Sequence, residues 1–177
     1  MGAAMAERAL GELYLTARSH LVEVDGRQVL GSVRLQLSGA CTLTVDAHFA
    51  HADPQQGVVL KAKPRQLEVA GQRGTSMVLW DYAPFPVDAT LIARKGPFVV
   101  TVYNVWKGPH GATMAWVANG GMTVRELTPE RLVLDCNAGP RPVTFTDATA
   151  TLTWPADVEV RLLLPGEEPA SGATGRS

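Results

Sequence analysis

Seven of the chain's eleven aromatic residues fall between Trp80 and Trp116, and these are the side chains best suited to forming a site. The set is Trp80, Tyr82, Phe85, Phe98, Tyr103, Trp106 and Trp116, with Met114 beside it. Polar groups are interleaved with them. Asp81 lies between Trp80 and Tyr82, and Asn104 shares a strand face with Val102 and Trp106. An aromatic, apolar wall carrying a few hydrogen-bonding groups is the usual lining of a small-molecule pocket. The expected ligand-binding residues are therefore Trp80, Tyr82, Tyr103, Asn104, Trp106, Met114 and Trp116. The same pattern also suits an ordinary core in which Asn104 bonds to backbone at a bulge. Asp81 is the one carboxylate inside the set and the candidate acid or base. Strand alternation, however, turns it away from Trp80 and Tyr82, toward solvent.

The densest polar cluster is Asp46, His48, His51 and Asp53. Imidazole nitrogens supported by carboxylates suit zinc or a similar cation, which makes His48 and His51 the candidate metal ligands. The alternation of this segment puts Asp46 and His48 on a solvent face, so no resident metal is expected. Other chemistries lack their motifs. Four histidines (His20, His48, His51, His110) accompany many hydroxyls, but no Gly-x-Ser-x-Gly elbow is present. No glycine loop leads into a helix to cradle a phosphate, and no cofactor is expected.

These candidates need elements to position them, and period-2 alternation recurs along the whole chain. In Cys41 to Phe49, the residues Cys41, Leu43, Val45, Ala47 and Phe49 point one way and Thr42, Thr44, Asp46 and His48 the other. Val29 to Leu37 and Val158 to Leu164 repeat the pattern. Phe98 to Trp106 is apolar on both faces, as expected of a central strand or one between core and cavity, and Met114 to Ala118 reads similarly. Turn signals at Asp25-Gly26, Gly71 to Gly74, Lys95-Gly96-Pro97, Asn119-Gly120-Gly121 and Thr128-Pro129-Glu130 separate the runs. Short strands at this spacing predict an all-β, single-domain antiparallel β-barrel or closed β-sandwich. Residues 1–11 form an N-terminal segment in which Met5 to Leu13 has the one helical pattern. Residues 12–164 make the all-β domain, and the Gly-, Ser-, Ala- and Pro-rich stretch 165–177 is expected to be disordered.

Composition narrows the partners. A net charge of −1 gives no broad basic field for nucleic acid or an anionic membrane, although it leaves room for a small local patch. No window reaches the length of apolar chain that spans a bilayer. Cys41 and Cys136 lie on apolar segments and read as two buried free thiols. With no secretory pattern in Met1 to Leu15, the expectation is a cytoplasmic protein. The leading functional reading is a small organic ligand held in the aromatic pocket. The protein would be a binder, or an enzyme that cyclises or isomerises a reactive substrate by confining it. A carbohydrate-binding sandwich with exposed tryptophans is a second reading. The third is an interaction module, with an apolar patch or edge strand joining two copies. Whether Trp80, Trp106 and Trp116 face an internal cavity, an external groove or a subunit contact separates them.

Overall fold

A computed structural model describes residues 8–93, 95 and 97–170. The helix α1 (Leu10–Ala17) precedes β1 (Leu21–Val24), β2 (Arg27–Leu30), β3 (Val33–Leu37), β4 (Thr42–Phe49) and β5 (Gln56–Lys61). Then come β6 (Gln66–Val69), β7 (Gln72–Gly74), β8 (Ser76–Trp80), β9 (Val87–Ile92) and β10 (Phe98–Lys107). The chain continues through β11 (Thr113–Met114), β12 (Gly121–Leu127), β13 (Arg131–Asn137), β14 (Ala148–Thr153) and β15 (Val160–Leu163).

Two antiparallel sheets result. One has nine strands in the order β1-β2-β12-β13-β14-β4-β9-β6-β7, and the other has five in a row, β15-β3-β10-β5-β8, with β11 paired to β10. Both rows have free ends, so the architecture is a sandwich rather than a barrel. Alternation sets the inward faces as the sequence predicts. Leu43 and Val45 from β4, Leu132 and Leu134 from β13, and Leu152 from β14 meet Leu35, Leu60, Val100 and Val102 from the smaller sheet, all fully buried. The outward residues of β4 are Thr42, Thr44, Asp46 and His48, as read. Asp25 and Gly26 both have positive φ, as a two-residue hairpin turn between β1 and β2 requires.

Several boundaries differ from the sequence reading, each for a local reason. The Val29 to Leu37 run is two strands, because Gly31 and Ser32 carry the chain from the larger sheet at β2 to the smaller at β3. The helix begins at Leu10, not Met5, and runs on to Ala17, where Arg18 closes it in the left-handed conformation. Residues 1–7 lie outside the described residues. Of Met114 to Ala118 only Met114 is in a strand, and Trp116 and Val117 are exposed. Asn119-Gly120-Gly121 makes no hairpin. Its glycines instead permit close packing, since a Cβ at Gly120 would overlap the Trp106 ring and one at Gly121 the Tyr14 hydroxyl. Residues 165–170, expected to be disordered, are held across β3 and β15. Gln36 exchanges two hydrogen bonds with the Ala170 backbone (3.1 and 3.0 Å), and Arg34 donates to the Glu167 carbonyl at 3.2 Å. Residues 171–177 lie outside the described residues.

β10 lies at the middle of the smaller sheet, and its inward end is polar. Asn104, 6% exposed, donates through Nδ2 to the Asn137 carbonyl at 2.9 Å and so joins the two sheets. Trp106 follows as a wedge against Gly120 and Gly139. Replacing Asn104 by Leu leaves a buried carbonyl without its donor, at a cost of about 1–3 kcal/mol. The expected result for Asn104→Leu is a melting temperature lower by about 5 °C in a differential scanning experiment.

Cys41 and Cys136 are both free thiols. Burial pushes the Cys136 thiol up to about 12, with the charges of Asp135 and Asp147 acting in the same direction. Cys41 is half-buried, and burial, with Asp157 next, raises it as well. Thiolate is the reactive form. Iodoacetamide on the native protein should therefore modify Cys41 slowly and spare Cys136 until denaturant is added, as read by intact mass.

Candidate functional site

The structure distributes the aromatic set over three places rather than one wall. Asn104 and Trp106 point inward between the sheets and are buried. Tyr103 is on the opposite, outward face of β10, where Trp116 packs on it with ring centroids 4.6 Å apart. Trp80 is on the outward face of β8, over Gly57, with the Lys107 ammonium 4.5 Å from its ring centre. Tyr82 is 75% exposed in the turn beyond β8. Asp81, in the same turn, accepts a hydrogen bond from Gln55 Nε2 at 3.3 Å. Met114 packs beside Gly108 and, with Trp106, borders a cleft at one end of the sandwich.

The polar cluster is likewise divided. His48 is exposed on the outer face of β4, whereas His51 Nε2 lies 3.5 Å from Asp147, a fully buried carboxylate that also takes Arg141 Nε at 3.0 Å and the Ala138 N–H at 2.9 Å. Among the described residues no group of three or more His, Cys, Asp or Glu side chains is placed to hold a metal ion.

Several clefts could take a ligand; besides one of about 570 Å³ where Arg125 is paired with Asp135 and one of about 380 Å³ beside Lys63 and Arg65, three merit comparison by the partners of their polar groups. The end cleft, about 560 Å³, is bordered by Trp106, Met114, Lys107 and Arg141. Its cations are already engaged, Arg141 with Asp147 and Lys107 with Trp80, the Gly111 carbonyl and Thr113. A groove of about 740 Å³ beside β15 contains Gln36 and Arg161, both bonded to the backbone of residues 168–170. The third groove, about 900 Å³, runs between the end of α1, the start of β3 and residues 115–117. It holds Trp116, Val117 and Leu15, three of the seven large hydrophobic side chains that are exposed among the described residues, together with Arg18, Arg34, His20 and Ser32. Its Arg34, like Arg161, donates one N–H to the 167–168 backbone, so it is the gathered exposed apolar side chains that make this third groove the candidate site.

Its geometry is built from close backbone contacts. Gly11 of α1 donates to the Ala118 carbonyl at 2.8 Å, which satisfies one of the free N–H groups at the helix start. A Cβ at Gly11 would lie 2.9 Å from the Trp116 carbonyl oxygen, so only glycine lets the helix approach this loop. Trp116 has φ of 60°, a conformation uncommon for a bulky side chain. It is held there by Nε1–H donating to the Gly31 carbonyl at 2.8 Å and by packing against Tyr103 and His20, the latter at 5.0 Å. Arg18 has φ of 52° at the helix C-terminus, where glycine is conformationally cheapest.

At the base of the groove His20 Nδ1 and Ser32 Oγ are 2.9 Å apart, and Tyr14 borders the imidazole at 5.9 Å. Burial lowers the His20 pKa, so the ring is neutral at pH 7. Tyr14 is raised by burial and stays protonated, consistent with its hydroxyl donating to the Gly120 carbonyl at 3.1 Å. A serine beside a neutral imidazole is half of a nucleophilic arrangement. No carboxylate hydrogen-bonds the imidazole among the described residues, so the pair closes the base of the β1–β2 hairpin and offers polar contacts.

No protein-family model, curated protein or solved structure matches the chain. Sequence reasoning named Trp116 and Tyr103 but missed Arg18, His20, Ser32 and Arg34. These come from the end of a helix, a hairpin base and a strand start, so no spacing in the sequence joins them to Trp116, some 80 residues or more away.

His20 gives a pH test. Its folded pKa lies below the ordinary value near 6.5, so in that interval the unfolded chain binds the extra proton. Stability therefore falls as pH drops through the window beneath 6.5. Chemical denaturation at stepped pH should show this slope, and His20→Asn should flatten it.

Proposed function

We propose that the protein is a binding protein for a small organic ligand, held in the external groove with its apolar body against Trp116, Val117 and Leu15. The observation that carries this reading is Trp116 itself. It is an indole left 36% exposed, in a left-handed backbone conformation, with its N–H consumed by Gly31. Strained residues persist where the surroundings over-determine them, and they concentrate at ligand sites. A hydrophobic patch of this kind in a concave surface with polar groups at its base has the composition of a ligand site.

The groove is open to solvent, which suits binding. Catalysis by confinement needs a closed site that excludes water, so cyclisation or isomerisation draws no support from this shape. Sugar stacking is weakly served too. The Lys107 ammonium lies 4.5 Å from the centre of the Trp80 ring and occupies one face.

Saturation-transfer NMR with a panel of planar and aliphatic small molecules tests the proposal. Trp116→Ala should weaken the binders by about tenfold, as expected for loss of an aromatic contact worth on the order of 1.4 kcal/mol. Binders whose affinity is unchanged in Trp116→Ala, or a panel without binders, would sink the reading.

A further inference from the structure

Resting on that reading of the groove, we infer that its ligand is an organic anion: a carboxylate or comparable acidic head group on an apolar or planar body. The argument is one of unspent charge. Among the described residues Arg73, Arg125, Arg131 and Arg141 each face a carboxylate, Glu68, Asp135, Glu126 and Asp147 respectively. Arg18 and Arg34 face none, as do Arg27, Arg65 and Arg161 elsewhere, but Arg18 and Arg34 border the same groove. No Asp or Glu side chain lines it.

Arg34 spends one N–H on the backbone carbonyl of Glu167, leaving the rest of its five-donor fork available. Arg18 occupies a left-handed helix terminus that glycine would fill at less conformational cost, and its guanidinium makes no ion pair. Hydroxyls of Ser19 and Ser32 lie in the same groove and can donate to an acidic head group. Beside these polar groups the groove exposes Leu15, Trp116 and Val117. An amphipathic anion matches both sides at once. The whole chain carries only −1, so attraction of an anion to this groove would be local, set by its own arginines and not by a general basic field. Two arginines are too few to grip a polyanion, which favours a ligand with one acidic group.

The experiment uses the full chain and two isosteric probes, 2-naphthoate and neutral 2-naphthalenemethanol, followed by tryptophan fluorescence and calorimetry. Naphthoate should bind several-fold tighter at low ionic strength, and the preference should shrink as salt screens the exposed arginines. Arg18→Gln and Arg34→Gln should each weaken naphthoate by about threefold, the scale of an exposed charge pair, without changing the alcohol. Arg18→Lys should retain most of the naphthoate affinity. Equal affinity for the two probes, or equal losses for both in the Gln variants, would overturn the anion assignment and leave the groove as a neutral ligand site. No binding of either probe would overturn both proposals together. Retention on phosphatidylglycerol vesicles without binding of soluble naphthoate would replace the small ligand with a membrane surface.

Discussion

The buried amide of Asn137 is the contact on which most of the molecule's other arrangements depend. It is fully buried and uses every bond it has. Its Nδ2 donates to the Asn119 carbonyl at 2.9 Å, fixing the end of the loop that carries Trp116. Its Oδ1 accepts from the Thr144 and Phe145 N–H groups, fixing the connection between β13 and β14. Its own carbonyl takes Asn104 from the opposite sheet. One residue therefore ties two sheets and two loops; an apolar replacement would unpair the Asn119 carbonyl and the Thr144 and Phe145 N–H groups, while the main-chain carbonyl that takes Asn104 would remain. Trp106 fills the space beside it, and glycines at 120 and 139 are what let the ring lie that close.

The groove follows from this anchoring. Residues 115–118 have little regular structure, and Trp116 and Ala118 both take positive φ. Such backbone conformations cost energy and would relax if the segment were free. They are maintained because Asn119 is held from the core side while Gly11 of α1 grips the Ala118 carbonyl from the other. Trp116 is then positioned by Gly31, whose missing side chain leaves room for the indole and the His20 ring together. The platform is rigid for reasons that lie outside it, a useful property for a ligand site because ordering costs are met before the ligand arrives.

Most of the sandwich could be read from alternation, because a half-buried strand declares its two faces directly. Cys41 to Phe49 and Phe98 to Trp106 are the clearest cases, the second correctly placed as a central strand. Barrel and sandwich could not be told apart, since both use the same alternation and differ only in whether the outer strands meet. The site was less legible. Alternation showed that Asn104 and Trp106 share a face, but not that a carbonyl from another sheet awaits the amide. Tyr103, assigned to the same wall, takes the other face of β10 by the same rule. Clustering in sequence gathered Trp80, Tyr82 and Trp116, yet strand β8, the turn beyond it and the loop after β11 carry them separately. Trp116 was recognised as an aromatic of interest, while its φ, its bond to Gly31 and its arginine neighbours depend on contacts far apart in the chain.

The near-neutral balance of the chain also carries a lesson about scale. Net charge averages over a surface and speaks to long-range fields, whereas recognition of a small ligand depends on which charges have no partner within a few ångströms. Here the pairing is uneven. The larger sheet's outer face neutralises Arg125 with Asp135 and Arg131 with Glu126 across adjacent strands β12 and β13. Arg141 is drawn against buried Asp147. By contrast, the groove around Trp116 collects two arginines, no acid and a patch of exposed hydrocarbon. Arg34 has one structural contact there, to the Glu167 carbonyl, but Arg18 makes no ion pair and the exposed Leu15 and Val117 side chains lose the benefit of burial. On the proposed reading, the asymmetry reflects what the groove receives as well as what holds the fold together.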